Sequence, residues 1–407
     1  MSKPAGQPSV SQEGKDPTAI VQIASDATLL PPVRLEELFP EYTAENYRQR
    51  ATEARNQLIA ELRKSHLSEG VVLYIGAGVS MSIGLPSWNE LIQSLTVAMM
   101  SRRVNSAANA LSSLTDDEKA AALKALLDEV KRQKASQKPI LMMARAIKDE
   151  FGSDLPHQVA AHLYGRLRLG SGVWKRLFGF FSGKAKPVRA GSEELELPTS
   201  PLVDAVVALV RPQRGVVGVQ AIVNYNYDDI VEERLRQESI PCLTVLSGKL
   251  RLNRGKLPSY HVHGVLPVRD YLGKSLRPKQ VDIGNFVFSE DEYHTEYADP
   301  YRWSNLTQIS LLGRHKGLFI GLSMQDPNLR RLIDVTHKQY PEIWNYAVLP
   351  RSSAAPNEDE KTAILRNLAE DVETKSFQKI GVKVLWVDDI QKDIAPLLTE
   401  ISQLPDD

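Results

Sequence analysis

Five apolar residues, Val71, Val72, Leu73, Tyr74 and Ile75, run directly into Gly76-Ala77-Gly78, and this junction constrains the fold more than any other stretch of the chain. An unbroken apolar run rich in β-branched residues predicts a strand buried on both faces, as in a parallel sheet. Two glycines one residue apart let the chain turn sharply at the strand end and bring backbone N–H groups close to an anionic group, so a phosphate is the natural guest. Beyond Gly84, the order Ser87-Trp88-Asn89-Glu90 fits a capping box, and Trp88, Leu91, Ile92 and Leu95 recur at helical spacing. The core unit is therefore strand, glycine loop, helix. It is not the dehydrogenase fingerprint: Met81 stands where the third glycine belongs, and no acidic residue closes a second strand about 20 residues on.

The 407 residues allow one large or two ordinary domains, and a 42% hydrophobic content supplies a substantial core. Fifty basic against fifty acidic side chains give formal neutrality, so no global field favours nucleic acid or an anionic membrane. The single cysteine, Cys242, excludes intramolecular disulfides and any zinc site built from several thiolates. It fits a reducing compartment, the cytoplasm. No apolar run approaches the length of a membrane span, and no basic-then-apolar signal opens the chain.

Residues 1–32 are expected to be a mostly disordered tail, and residues 33–70 an N-terminal helical segment with Tyr47, Ala51, Ala54, Leu58 and Leu62 on one face. Residues 96–200 read as a helical insertion. It contains a capping box at Thr115–Glu118 followed by Leu123, Leu126, Leu127 and Val130, and helices over 140–151 and 156–167. Within it, Trp174, Leu177, Phe178, Phe180 and Phe181 sit among Lys175, Arg176, Lys184 and Lys186. That is a loop packed by its own aromatics or an interface for a partner or membrane surface. After residue 200, strands are expected at 218–223, 249–252, 260–265, 318–321, 345–349 and 382–387, and helices at 202–210, 230–236, 290–297, 303–313, 327–336 and 360–370. Strands separated by helices mean a parallel sheet covered on both faces, whose ligands bind at the carboxyl ends of the strands.

Three further motifs fall at such ends. Val223-Asn224-Tyr225-Asn226-Tyr227-Asp228-Asp229 follows one strand, and short polar side chains there form turns and cap the next helix. Asn224 reads as a turn former. Asn226 cannot take a proton, so a reacting site here needs another base. Tyr260-His261-Val262-His263-Gly264 offers one, since histidine titrates near neutrality. Strand alternation puts His261 and His263 on one face, so spacing does not choose between them. No nearby Asp, Glu or Cys spacing completes a metal-ligand set with them, so no metal is expected. In Gly321-Leu322-Ser323-Met324-Gln325-Asp326-Pro327, Asp326 before proline is a complete helix-capping signal in itself.

Taken together, G-A-G-V-S-x-x-x-G-L-P-S-W from Gly76, Asn226-Tyr227-Asp228, His263-Gly264 and Gly321-x-Ser323 resemble, in order, the motifs of the sirtuin family. The resemblance covers about 65–390 and is to the bacterial sirtuin-like branch. The segment Asn285–Tyr293 resembles a further stretch of that branch and is assigned structure only. The resemblance implies a Rossmann-like α/β domain over 71–95 and 201–407, interrupted by the helical insertion. It implies NAD as substrate, with Gly76, Ala77, Gly78 and Ser80 at the pyrophosphate, Trp88 toward nicotinamide, Pro86 among the NAD-binding residues, Gly321 and Ser323 toward the adenosine ribose, and Asp228 supporting the turn that carries Asn226. Asn226 and His263 are the implied catalytic pair. Two departures set the chain apart from protein-deacylating sirtuins: Cys242 alone cannot build their four-cysteine zinc module, and Asn89 replaces the arginine of their Gly-Ile-Pro-Asp-Phe-Arg segment. The bacterial branch with these departures is known mainly for cleaving NAD to nicotinamide and ADP-ribose, often as an antiphage-defence effector. The helical region and the crowded aromatics of Trp174–Phe181 lead to the expectation of an oligomer or a partner protein. A protein deacylase and a non-catalytic sensor of NAD or ADP-ribose are the competing expectations.

Overall fold

A computed structural model of the protein describes residues 34–110, 140–169, 197–248, 255–272, 285–352 and 358–404, with isolated positions between 115 and 125. The described residues fall into two compact units, delimited by Met1–Arg50 with Ala354–Ala369 and by Ala51–Ser353 with Glu370–Asp407. In the smaller unit the Tyr42 ring lies against Phe39 and Tyr47, with the Arg50 guanidinium over both tyrosines. Asn367 Nδ2 donates to the Tyr42 carbonyl at 3.0 Å.

The larger unit carries the sheet. In chain order the elements begin with α1 (Ala44–Ser68), β1 (Val71–Ile75), the short α2 (Ala77–Met81) and α3 (Trp88–Ala110). Next come α4 (Ile140–Phe151), α5 (Leu155–Leu169), α6 (Pro201–Val210), β2 (Val219–Asn224) and α7 (Ile230–Gln237). Then follow β3 (Cys242–Val245), β4 (Leu257–His261), α8 (Val268–Leu272), α9 (Glu290–Ala298) and α10 (Trp303–Leu312). The chain closes with β5 (Lys316–Ile320), α11 (Pro327–Gln339), β6 (Asn345–Pro350), α12 (Glu360–Gln378), β7 (Val382–Val387) and α13 (Ile390–Ser402). All seven strands are parallel, in the order β3-β4-β2-β1-β5-β6-β7.

Every residue of the central strand β1 is fully buried, as its apolar run requires. Strand alternation sends Leu73 and Ile75, with Ile222, Leu318, Ile320 and Val348, into one core shared with α3 to α7 and α13. Val72 and Tyr74, with Ala221, Val223, Phe319 and Ala347, enter a second core shared with α10 and α11. Each large side chain so buried contributes about 1.5–3 kcal/mol. Helices therefore cover both faces, and the architecture is the expected Rossmann-like α/β fold. Many helices lie outside the sheet's own crossovers: α3 packs on α4 and α5, and α5 on α8.

The register aligns the strand ends that matter. Ile75 pairs with Asn224 on one side and Ile320 on the other, and Asn224 pairs with His261. Ile320, Ile75, Asn224 and His261 thus form one row at the carboxyl edge, with the chain diverging to both sides of β1.

Several expectations shift. The strand expected at 260–265 is Leu257–His261, because its partner β2 ends at Asn224. The helix beginning at Trp88 continues to Ala110, past residue 95. Thr115 and Glu118 form the expected capping box, with Thr115 N–H donating to Glu118 Oε2 at 2.8 Å. Leu123, Leu126, Leu127, Val130, the 249–252 strand, the tail 1–32 and the aromatic segment Trp174–Phe181 lie outside the described residues. Among the described residues, no helix is long and apolar enough to cross a membrane.

Candidate functional site

The glycine loop is held from three sides. Gly76 N–H donates to the Ile320 carbonyl and Gly78 N–H to the Gly321 carbonyl, both at 2.9 Å, while Gln391 Nε2 donates to the Gly78 carbonyl at 3.4 Å. A Cβ on Gly78 would lie 2.7 Å from Gly321 Cα, and one on Gly76 would lie 2.5 Å from the Gly321 carbonyl oxygen. Gly321, with φ +68°, would in turn press a Cβ to 2.7 Å from the Val79 nitrogen. The space that sequence reasoning reserves for a ligand at Gly76 and Gly78 is therefore filled by the end of β5. These glycines exist first for backbone packing. Ala77, half-buried in the first turn of α2, is the residue of this loop that keeps partial exposure.

Asn226 joins the loop directly. Its Nδ2 donates to the Gly76 carbonyl and to Ser80 Oγ, each at 3.1 Å, so both amide hydrogens are used on the protein and Oδ1 is the atom it offers. Ser80 Oγ donates to Asp228 Oδ1 at 2.8 Å, and the same oxygen accepts from Ile230 N–H at 3.3 Å. Asp228 thus ties the β1 loop to the β2 loop, and burial pushes its carboxyl up to about 6. Its neighbour Asp229 accepts from Val268 N–H at 2.8 Å and is pushed up by burial to about 7.

Behind Asn226 lies a buried polar cluster. Asn224 Oδ1 accepts the Asn226 N–H at 2.9 Å, which is the turn assigned to Asn224. Asn224 Nδ2 donates to Glu232 at 3.2 Å, and Glu232 also accepts from Ser259 Oγ and sits 3.0 Å from His261 Nε2. Burial opposes both charges of this pair. Their mutual attraction prevails, holding Glu232 down at about 2 and raising His261 above its ordinary value. His261 Nδ1 faces the Asn226 carbonyl at 3.4 Å. His261 is a fully buried structural group.

His263 lies elsewhere. The strand ends at His261, so alternation stops there and His263 falls in the turn before Gly264, whose φ is +86°. The expectation that both histidines share a face fails for that reason. The His263 ring meets the edges of Tyr225 at 4.9 Å and Tyr293 at 5.4 Å, and its Nε2 is 3.7 Å from Asp326 Oδ2. Burial lowers its pKa, against the pull of Asp326 and Glu296. Tyr293, from the segment assigned structure only, is therefore a wall of the site. Its spacing after the Ser289–Glu292 capping box was the available signal.

Trp88 begins α3 and packs edge-on against Phe288 at 5.3 Å and near Tyr227 at 6.2 Å. The preceding Pro86 is buried. The insertion grips this segment: Arg166 of α5 bonds the Gly84 carbonyl at 3.3 Å and pairs with Glu90 at 3.2 Å. Ser323 is exposed on the β5–α11 loop, two residues beyond Gly321. Contacts thus bring together Gly76, Gly78, Ser80, Asn226, Asp228 and Gly321. Trp88 flanks them through Tyr227, the buried Pro86 lies two residues before it, and His263 stands beside Tyr225 and Asp326. A cavity of about 290 Å³ between α5 and α8, lined by Tyr164, Arg168 and Tyr271, shares no lining residue with this group.

Asn226, His263, Gly321, Ser323 and Asp326 all fall in one stretch that a family model recognises. Residues 220–374 match the SIR2-like domain. No curated protein matches the chain. The glycine loop and α3 precede the matched stretch, yet the loop's hydrogen bonds to Ile320, Gly321 and Asn226 and the Trp88 ring contacts with Tyr227 and Phe288 run into it. The SIR2-like domain is consistent with NAD-related activity. Among the described residues, no group of three or more His, Cys, Asp or Glu could hold a metal ion.

Proposed function

We propose that the chain hydrolyses NAD to nicotinamide and ADP-ribose, as the NAD-depleting effector of a bacterial antiphage system in the cytoplasm. The bond that breaks joins the nicotinamide nitrogen to the ribose anomeric carbon. Water supplies the oxygen that replaces it, nicotinamide leaves neutral and one proton is released. Positive charge grows on the ribose as nicotinamide departs. The observation that carries the reading is the convergence of Asn226 on the glycine loop, with Nδ2 bonded to Gly76 and Ser80 at 3.1 Å, in a chain whose SIR2-like stretch includes both Asn226 and His263.

In this reading Asn226 Oδ1 orients the ribose or the attacking water, and His263, kept largely neutral by burial, accepts the proton. Ala77 and Ser80 border the pyrophosphate, Pro86 and Trp88 the nicotinamide side, and Gly321 and Ser323 the adenosine side. Gly76, Gly78 and Asp228 serve by shaping the loop. With Cys242 the single cysteine, no four-cysteine zinc module exists to support peptide deacylation. The enzyme acts as a homo-oligomer or with a partner defence protein, since an enzyme that destroys NAD must be restrained in a healthy cell. The test is incubation of purified protein with NAD, with and without an acylated peptide, followed by product chromatography. Nicotinamide and ADP-ribose without peptide are expected. Turnover only with acyl-lysine peptide, with acylated ADP-ribose accumulating, would replace this reading by the deacylase.

A further inference from the structure

Each histidine of the His261-Val262-His263 turn has its own carboxylate. That of His261 is Glu232, buried in the sheet. That of His263 comes from the far side of the site, across β2 and β1, at the start of α11.

The Asp326 carboxylate is divided between two tasks. Its Oδ1 accepts from the N–H groups of Asn328 and Leu329, at 2.8 and 3.1 Å, and caps α11. A helix cap needs only this one oxygen. The other oxygen, Oδ2, points the opposite way and stands 3.7 Å from His263 Nε2. Pro327 at the first helical position fixes the direction in which the helix, and with it the carboxylate, starts. The loop leading there turns through left-handed backbone at Gly321 (φ +68°) and at the buried Met324 (φ +57°). A non-glycine residue in that region costs about 1 kcal/mol or more, so the packing around the loop holds Asp326 in place against local preference.

The other groups facing His263 are Tyr225 from the β2–α7 loop and Tyr293 and Glu296 from α9. The tyrosines are neutral. Glu296 is engaged by Arg302 at 2.8 Å, Ser304 Oγ at 2.7 Å and Asn285 Nδ2 at 2.8 Å. Asp326 is thus the carboxylate placed at the ring itself. The geometry points to Asp326 as a positioning residue that holds the His263 imidazole and sets its basicity, in addition to capping α11. This rests on the reading of His263 as the proton acceptor. A ring flanked only by aromatic edges would have no polar anchor, and one nitrogen must be oriented for the other to work as a base.

Asp326→Asn separates the two tasks, because asparagine caps a helix as well as aspartate but carries no charge. Asp326→Ser does the same by another side chain, should the first variant misfold. The first readout needs no turnover: histidine ring titration by NMR on the intact protein, with the His263 signal assigned by its loss in His263→Gln. Removing the carboxylate should move the His263 midpoint to lower pH, since the imidazolium loses its stabilising partner. The second readout is kinetic. In Asp326→Asn, kcat should fall by roughly 10² with little change in KM, and the acid limb of its pH profile should move to lower pH. Melting temperature should stay at the wild-type value in Asp326→Asn and fall in Asp326→Ala. A His263 midpoint unmoved in both charge-removing variants overturns the inference, whatever the activity. A midpoint that moves in a protein unable to cleave NAD supports the pair and overturns the hydrolase reading instead.

Discussion

The two sides of the site are built by opposite means. On the β2–β4 side a buried charge pair, Glu232 and His261, organises Asn224 and Ser259 and through them the main chain of Asn226. On the β1–β5 side the glycine junction itself uses no charge: Gly76, Gly78 and Gly321 interlock backbone against backbone. The first arrangement holds the Asn226 turn by electrostatics in a dry environment, where a lost partner is expensive. The second holds a loop by shape, where an added atom is expensive. A site made in both ways can fail in chemistry, in charge balance or in packing, and each failure has a separate signature.

The largest expected effect is on turnover alone. His263→Ala should slow NAD cleavage by about 10² to 10⁴, the usual worth of a positioned proton acceptor, while destabilising the fold far less than changes at His261 or Glu232. Steady-state rates and urea titration on the same preparation check this. If His261→Ala per folded molecule were the inactive variant and His263→Ala the active one, the roles of the histidines would be reversed.

Glu232→Ala comes next. It leaves His261 buried without its carboxylate and should cost about 3–5 kcal/mol of stability, read by urea denaturation. A loss of only a few tenths would mean that the polar side is not held by charge. Gly78→Val is the matching test of the other side, with an expected loss of about 1–3 kcal/mol from overpacking against Gly321. A ligand-clearance role alone would leave its apo stability untouched and remove only NAD-dependent stabilisation.

The smallest effect is a pH trend confined to the polar side. Asp228 and Asp229 ionise near 3.8 when unfolded but near about 6 and about 7 when buried, so their contribution is full below 3.8 and declines as pH rises through those values. His261, raised by Glu232 against burial, adds a contribution full below its ordinary 6.5 and lost as pH rises through its folded value. Glu232, held at about 2, acts in the other direction: its contribution is full above 4.5 and lost toward pH 2. These groups together should make the melting temperature highest at about pH 4 and lower by pH 7.5. Asp229→Asn keeps an acceptor for Val268 and should flatten the decline. An unchanged slope would remove Asp229 from the account.

What the sequence showed clearly were the elements whose burial is complete or whose ends are capped. Val71–Ile75 is apolar on both faces, and Ser87, Ser289 and Asp326 mark their helix starts by side-chain chemistry. The edge strand Cys242–Val245 escaped because it is short and half-buried, so it lacks both the alternation and the continuous run that reveal strands. The C-terminal helix Ile390–Ser402 escaped because Pro396 interrupts it, although Asp389 caps it and Ile394, Leu397, Leu398 and Ile401 form a buried stripe. At the site, motif order singled out Asn226 and His263 as candidates. It could not distinguish the surroundings of His261 from those of His263, because where a strand ends is set by the partner with which it pairs. Glu232 was invisible for a similar reason: an acidic residue in a first helical turn looks solvated until the sheet closes over it.

The interlocked glycines carry a consequence for anyone redesigning this protein. Since Gly78 and Gly321 each occupy the volume that the other's side chain would need, the two loops behave as one exchangeable module contributed by distant parts of the chain. A graft or library that replaces the 76–78 loop alone inherits the old β5 end and clashes with it, and only paired replacement of both segments preserves the fit. Single-site diversity belongs at Ala77 and Ser323, which keep exposure where Gly76 and Gly78 do not.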